Sequence, residues 1–219
     1  MPSPTARSGR PGGDRLAENH LRRQKIEFHA TLLAGKLPEF LKRHPDIVVE
    51  VNVDDGLTDI VAFGFGAGIR LDEAVEKDMI AVRIGPPPRT LTVATPDYWK
   101  SQDKPRHPRD LKHHDCIGYR AISSGTLMPW DYEKDGQEIR QQVNGPPICN
   151  SSELALAVVR SGRGVGWHME RDVEEDVRAG RLEQVLEDWT QPYDGAHLYH
   201  SSRRQVPPPL RALIDYLKE

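Results

Sequence analysis

The chain has 219 residues, with 30 lysines and arginines against 33 aspartates and glutamates, a formal charge of −3, and 37% hydrophobic residues. This is the composition of an ordinary soluble globular protein; the acidic balance argues against a whole-chain basic surface for nucleic acid, and no apolar run approaches the roughly 18 residues of a membrane span. Cys116 and Cys149 lie far apart without C-x-x-C spacing, so reduced thiols are expected rather than a disulfide.

Residues 1–25 differ from the rest. They hold Arg7, Arg10, Arg15, Arg22, Arg23 and Lys25 against Asp14 and Glu18, with several prolines and glycines and few large apolar side chains. Such a stretch buries too little surface to offset its ordering entropy, which predicts a basic, disordered tail to about Glu18. It lacks the continuous apolar core of a secretory signal, so the cytoplasm is the expected location.

Leu33, Leu37, Phe40 and Leu41 fall at helical spacing and predict a helix from about Thr31 that ends before Pro45. Pro38 lies either in its first turn or at a kink. The β-branched run at 47–53, closed by Asp54-Asp55-Gly56, predicts a strand and a turn. A short helix suits 57–63, and strands suit 67–71, 79–84 and 91–95, the last two separated by Pro86-Pro87-Pro88. Another strand is predicted over 116–122. Segments 130–133 and 138–143 flank Lys134-Asp135-Gly136-Gln137, whose Asp-Gly pair is a strong hairpin signal.

Asn150, three residues before Glu153, predicts a capping box opening a helix through Val159, stopped by Gly162 and Gly164. Then follow a strand at 165–168, a helix at 171–179, and strands at 182–186 and 197–199. Pro207-Pro208-Pro209 opens a last helix with Leu210, Leu213, Ile214 and Leu217 on one face. Strands alternating with helices imply a mainly parallel sheet covered on both sides, and the hairpin-bearing middle implies two α/β lobes.

Several segments share an order and spacing. Leu37-Pro38-Glu39-Phe40-Leu41 and Pro45-Asp46-Ile47 precede Val53-Asp54-Asp55-Gly56-Leu57-Thr58-Asp59-Ile60-Val61 and Ala67-Gly68-Ile69-Arg70-Leu71. His107-Pro108-Arg109-Asp110-Leu111, Cys116-Ile117 and Asn150-Ser151-Ser152-Glu153-Leu154 follow, and Ser202-Arg203-Arg204-Gln205-Val206-Pro207-Pro208 leads to the final helix. In that order the chain from about Leu33 to Glu219 resembles the effector (substrate)-binding domain of LysR-type transcriptional regulators. The resemblance implies the type 2 periplasmic-binding-protein fold, α/β with two Rossmann-like lobes joined by two crossover strands near 91–95 and 196–199. Lobe I would comprise 26–93 plus 197–219, and lobe II 94–196.

The resemblance also implies a small-metabolite effector in the inter-lobe cleft, regulation of transcription, and no cofactor. Protomers would form a homodimer or higher homo-oligomer, side by side and antiparallel through the helix near 31–44. Family members carry a winged helix-turn-helix and a linker helix ahead of this domain, and residues 1–25 are too short for either. The expectation is a chain whose DNA-reading domain is missing, with a gene truncated or altered at its 5′ end. Where the family has an apolar first strand and a small hydroxyl residue at the next turn, this chain reads Arg22-Arg23-Gln24-Lys25-Ile26-Glu27. The competing reading is a stand-alone ligand-binding protein, or a dominant-negative dimerisation partner without DNA binding of its own.

Asn150, Ser151 and Ser152 are the leading effector contacts, since a helix N-terminus offers unpaired N–H groups and partial positive charge to a carboxylate; the alternative is simple capping by Asn150. Arg70, at a strand end beside the cleft, is suited to grip a carboxylate or to pair with Asp72 or Glu73. Ser123 and Ser124 either line the opposite wall or serve turn chemistry. Trp130 and Trp167 either wall the pocket or fill core. His107, His113, His114 and Cys116 match no zinc spacing, so no metal is expected. Gly64-Phe65-Gly66-Ala67-Gly68 and Gly162-Arg163-Gly164-Val165-Gly166 read as helix stops rather than phosphate loops. There is no G-x-S-x-G elbow, and Asp54, Asp55 and Asp59 sit where acids cap helices; the expectation is not an enzyme.

Overall fold

The computed structural model describes residues 30–52, 64–70, 78–121, 125–193, 195–201 and 205–218. The basic tail, the segment at 22–27, the turn and helix expected over 54–63, and Ser123 and Ser124 lie outside the described residues. Three elements come first: α1 (Ala30–Arg43), β1 (Gly68–Arg70) and β2 (Met79–Ile84). The chain then runs through β3 (Thr90–Ala94), α2 (Pro96–Ser101), a 3-10 turn (Pro108–His113) and β4 (Gly118–Tyr119) to β5 (Trp130–Lys134) and β6 (Gln137–Gln141). β7 (Ile148–Cys149), α3 (Ser152–Arg160), β8 (Gly166–Met169), α4 (Glu170–Arg178) and β9 (Glu183–Val185) follow, and β10 (Ala196–Ser201) leads to α5 (Pro208–Lys218).

β10 lies between β1 and β2 and is antiparallel to both, so β1 and β2 run in one direction. β3 lies between β8 and β9 in the same way. β4 pairs with β7 in parallel, and a parallel bridge between Cys116 and Val165 ties this pair to the β8 side. The expected mainly parallel sheet is thus corrected in a specific manner. Apart from the β5–β6 hairpin, the paired strands are co-directional except β3 and β10. These two carry the chain from one core to the other and back, so each enters its sheet against the run of its neighbours.

One core lies between the β1-β10-β2 sheet and α1 and α5. Leu33 and Phe40 of α1, Ile69, Ile84 and Leu198 of the sheet, and Leu210, Leu213, Ile214 and Leu217 of α5 are all buried there. Ile47, Val49 and Val51 pack against it while Val48 is 56% exposed, so the strand expected at 47–53 keeps its alternation through residue 51 but joins no ladder among the described residues. Pro38 sits inside α1, on an exposed face, rather than in its first turn.

The second sheet is covered on both faces. Leu91 and Val93 of β3 pack with Leu156 and Val159 of α3 and Val173 of α4. The opposite face carries Thr92 and Ala94 toward the hairpin, where Trp130 and Tyr132 are buried and the Thr92 and Tyr132 hydroxyls share a 2.7 Å hydrogen bond. The hairpin turns at Asp135 (φ 53°) and Gly136 (φ 78°), the left-handed pair its sequence calls for. Gly164 (φ 151°) is needed for a different reason: a Cβ there would collide with the Asp115 carbonyl, where the chain runs alongside β4.

Two local expectations change. The helix at 152–160 is capped by Ser151, whose Oγ accepts from the Leu154 N–H at 3.2 Å, and not by Asn150, which is exposed. The strand expected over 116–122 shortens to Gly118–Tyr119. α2, with Thr95 as cap and Pro96 at its first position, and the 3-10 turn went unread in the sequence. At that turn His107 Nδ1 accepts from the Arg109 N–H while the Asp110 carboxylate accepts from the His107 N–H. His107 therefore serves as a cap, and Cys116 Sγ donates to the Leu111 carbonyl.

The fully buried Leu198 on the central β10 makes a direct stability test. Leu198→Ala should cost about 2–5 kcal/mol, through lost burial and an uncollapsed cavity. Leu154→Ala, at a position 54% exposed, should change stability by under about 0.5 kcal/mol in the same urea titration.

Candidate functional site

The ladder registers show where the strands end. Arg70, the last residue of β1, is paired with His197, and Ile84, the last of β2, with Ala196, the first residue of β10. On the second sheet Thr90, the first residue of β3, is opposite Met169, the last of β8. The carboxyl ends of the co-directional strands in both sheets therefore lie at the edges where the crossovers enter. β7 runs with them, so the N-terminus of α3 opens at the same edge. In α/β proteins that edge is where ligands bind, because helix N-termini and loop amides converge there without side chains filling the space.

The two crossovers bind each other. Pro86-Pro87-Pro88 leads into β3 and Tyr193 precedes β10, and the Tyr193 N–H donates to the Pro88 carbonyl at 2.8 Å. The Glu170 N–H donates to the Arg89 carbonyl at 2.9 Å, and the Arg89 guanidinium forms an ion pair with the Glu170 carboxylate. The hydrogen bond to Glu170 is the main reason that Arg89 holds its proton more tightly than a free arginine. Burial pushes the Tyr193 phenol up, opposed by its hydrogen bond with Thr90. Nothing in the spacing of Arg89, Glu170 and Tyr193 pairs them in the sequence; the only signal was the proline run and the glycine that flank the crossovers.

The structure brings some of the sequence-predicted residues together. Ser151 Oγ is committed to the Leu154 N–H and the Ser151 carbonyl accepts from Ala155. The N–H groups of Ser152 and Glu153 have no partner among the described residues, and Asn150 and Ser152 are exposed beside them. Arg70 has its backbone at the facing edge, and its side chain lies outside the described residues. Trp130 and Trp167 stack on each other, with ring centroids 6.3 Å apart and an interplanar angle of 11°. Trp130 is only 2% exposed, within the second core, whereas Trp167 is half-buried with its indole N–H lacking a partner among the described residues.

At the other end of α3, beside Thr95 and Pro96 where β3 has ended, lies a polar cluster that the sequence did not disclose, because its members come from separate elements. Arg160 of α3 donates from Nε (2.8 Å) and Nη2 (2.6 Å) to one Asp176 oxygen, and Arg181 donates from Nε at 2.5 Å to the other. Asp176 is buried, which opposes ionisation, but the two guanidinium groups prevail and hold its carboxyl below the usual range. His168 of β8 is buried as well; burial foremost, and then the Arg160 charge, pushes its imidazole down to about 4.

Comparison with known proteins gives consistent matches. The model of the LysR substrate binding domain family matches residues 27–219. A transcriptional regulator of Pseudomonas aeruginosa PAO1 is 40% identical over 188 residues, covering 86% of this chain and 61% of that protein. The HTH-type transcriptional regulator YcaN of Escherichia coli K12 is 41% identical over 191 residues, with 87% and 61% covered. The chain thus spans about three-fifths of the length of these relatives. The regulatory domain of AphB from Vibrio vulnificus superposes with a TM-score of 0.73 at 20% identity, covering 89% of this chain and 98% of that domain. That likeness shows the fold.

His168 makes a pH prediction with a definite sign. Its folded value of about 4 lies below the ordinary 6.5, so the unfolded chain takes up the proton first as pH falls. The stability contributed by burying neutral imidazole is complete above about pH 6.5 and gone below about pH 4, a loss on the order of 3 kcal/mol. Urea denaturation across this window should show that slope in the wild type and a flatter curve for His168→Asn.

Proposed function

Because the chain belongs to the LysR substrate-binding domain family, we propose that it senses a small carboxylate-bearing metabolite between its two lobes and passes that state on as a change in transcription. The division is lobe I at 26–93 plus 197–219 and lobe II at 94–196. The observation that carries the reading is the placement of two unpaired helix N–H groups and the carboxyl end of β1 at the crossover edges. Asn150, Ser152 and the α3 amides hold the carboxylate, Arg70 supplies the countercharge, and Ser123 and Ser124 add hydroxyl donors. The half-buried Trp167, backed by Trp130, offers an aromatic surface on the hairpin face of the same sheet, across it from α3.

An effector that contacts both lobes binds the closed arrangement better than the open one, and only this difference in affinity shifts the population. The crossovers are the hinge. A second copy pairs through lobe I, supported by the exposed apolar Leu41 of α1, Val48 and Ile80 of β2. DNA is contacted, in the cytoplasm, only through a winged helix-turn-helix that these 219 residues do not include. Among the described residues, no helix is long and apolar enough to cross a membrane. The role is regulatory rather than enzymatic.

A thermal-shift screen of small metabolites tests the reading, since a ligand that binds only the folded state raises its midpoint. A carboxylate hit should lose most of its upshift in Ser152→Glu, which sets a fixed negative charge at the helix N-terminus. The ligand-free midpoint should hold or rise, because that charge favours the helix dipole. An upshift unchanged in Ser152→Glu would place the ligand elsewhere.

A further inference from the structure

Gly35 lies inside the 14-residue α1, where glycine weakens a helix and alanine is the favoured small residue. Its backbone is helical, so no left-handed turn calls for a glycine there. What its missing side chain leaves room for comes from the other core. A Cβ at Gly35 would meet the Arg171 guanidinium, whose Nη2 lies only 2.7 Å from that position.

Arg171 is the second residue of α4, a helix packed on the second sheet through Val173. Its neighbour Glu170 grips the outgoing crossover, by its N–H to the Arg89 carbonyl and by its ion pair with the Arg89 guanidinium. Arg171 itself has no hydrogen bond or ion pair among the described residues. The one acid of α1, Glu39, already pairs with Lys42 and Arg43. The contact with α1 is therefore one of packing, a flat guanidinium laid where a side chain is absent. Both residues are exposed, so it breaks without uncovering either core.

We propose that Arg171 is a reversible latch: seated on Gly35 of α1, it holds the α4 side of the molecule against the first core, and its release frees the two halves to turn about the crossovers. Glu170 is tied to the crossover one residue away, so such a turn carries Arg171 onto or off Gly35. The latch needs no effector and does not depend on what the α3 N-terminus binds.

The test is a pair of spin labels on the full chain, at Arg211→Cys and Glu138→Cys in a Cys149→Ser background, read by pulsed dipolar spectroscopy. Arg171→Ala removes the arm and Gly35→Ala fills its seat, so each should broaden the distance distribution and shift its mean the same way. The double variant should go no further than either single one, because both break one contact. Arg178→Ala, on the same helix with only its Glu174 partner to lose, should leave the distribution unchanged. Arg171→Ala should melt close to the wild type, and Gly35→Ala at or above it, since alanine favours the helix. The proposal fails if either single variant keeps the wild-type distribution, if the two effects add, if Arg178→Ala gives the same shift, or if Arg171→Ala melts well below the wild type.

Discussion

The fold depends on a single topological constraint: the chain leaves one core and returns to it, and both passages are strands inserted in the middle of a sheet. β3 is flanked by β8 and β9, and β10 by β1 and β2, with every contact antiparallel. A central strand is held by ladders on both sides, so neither crossover can detach without breaking two of them. The hydrogen bond from Tyr193 N–H to the Pro88 carbonyl, with that between the Tyr193 phenol and Thr90, then ties the passages together. Rigid ends and a short polar link between them are the elements of a hinge, in which a few positions absorb the rotation while the sheets move as bodies.

This constraint also explains which parts of the structure could be read in advance. α5 was legible because Leu210, Leu213, Ile214 and Leu217 form one helical stripe, and all four are buried. The hairpin was legible because Asp-Gly supplies two adjacent left-handed residues, and both are found there. The α3 cap was misplaced by one residue because Asn150, Ser151 and Ser152 all suit a cap. The choice falls to the ladder: β7 ends with Cys149 opposite Tyr119, Asn150 becomes the link, and Ser151 takes the cap. Strand direction was legible only in bulk, since reversal of β3 and β10 follows from where they return and not from their own residues.

The candidate site was legible to a different degree. The motif at Asn150, Ser151 and Ser152 marked the start of α3, because N-terminal capping chemistry is local. The Arg160–Asp176–Arg181 cluster and the Arg89–Glu170 pair were invisible, because each joins residues that only the tertiary fold brings together. Trp130 and Trp167 fall between these cases. Their size announces burial, but whether an indole is core or wall depends on its neighbours, and here one ring is almost fully enclosed while the other, stacked on it, is partly open.

The α3 N-terminus limits what an effector must bring. Ser151 has spent its hydroxyl on Leu154, which leaves the Ser152 and Glu153 amides as the donors. The first turn already carries the Glu153 carboxylate, which interacts favourably with the helix dipole and competes with any other anion for it. Two amides beside an acid make a weak anion trap by themselves. A countercharge from the facing edge, at the carboxyl end of β1, is therefore needed for useful affinity. In the proposed reading, an effector held by both edges engages both lobes at once, and that is what would couple binding to closure.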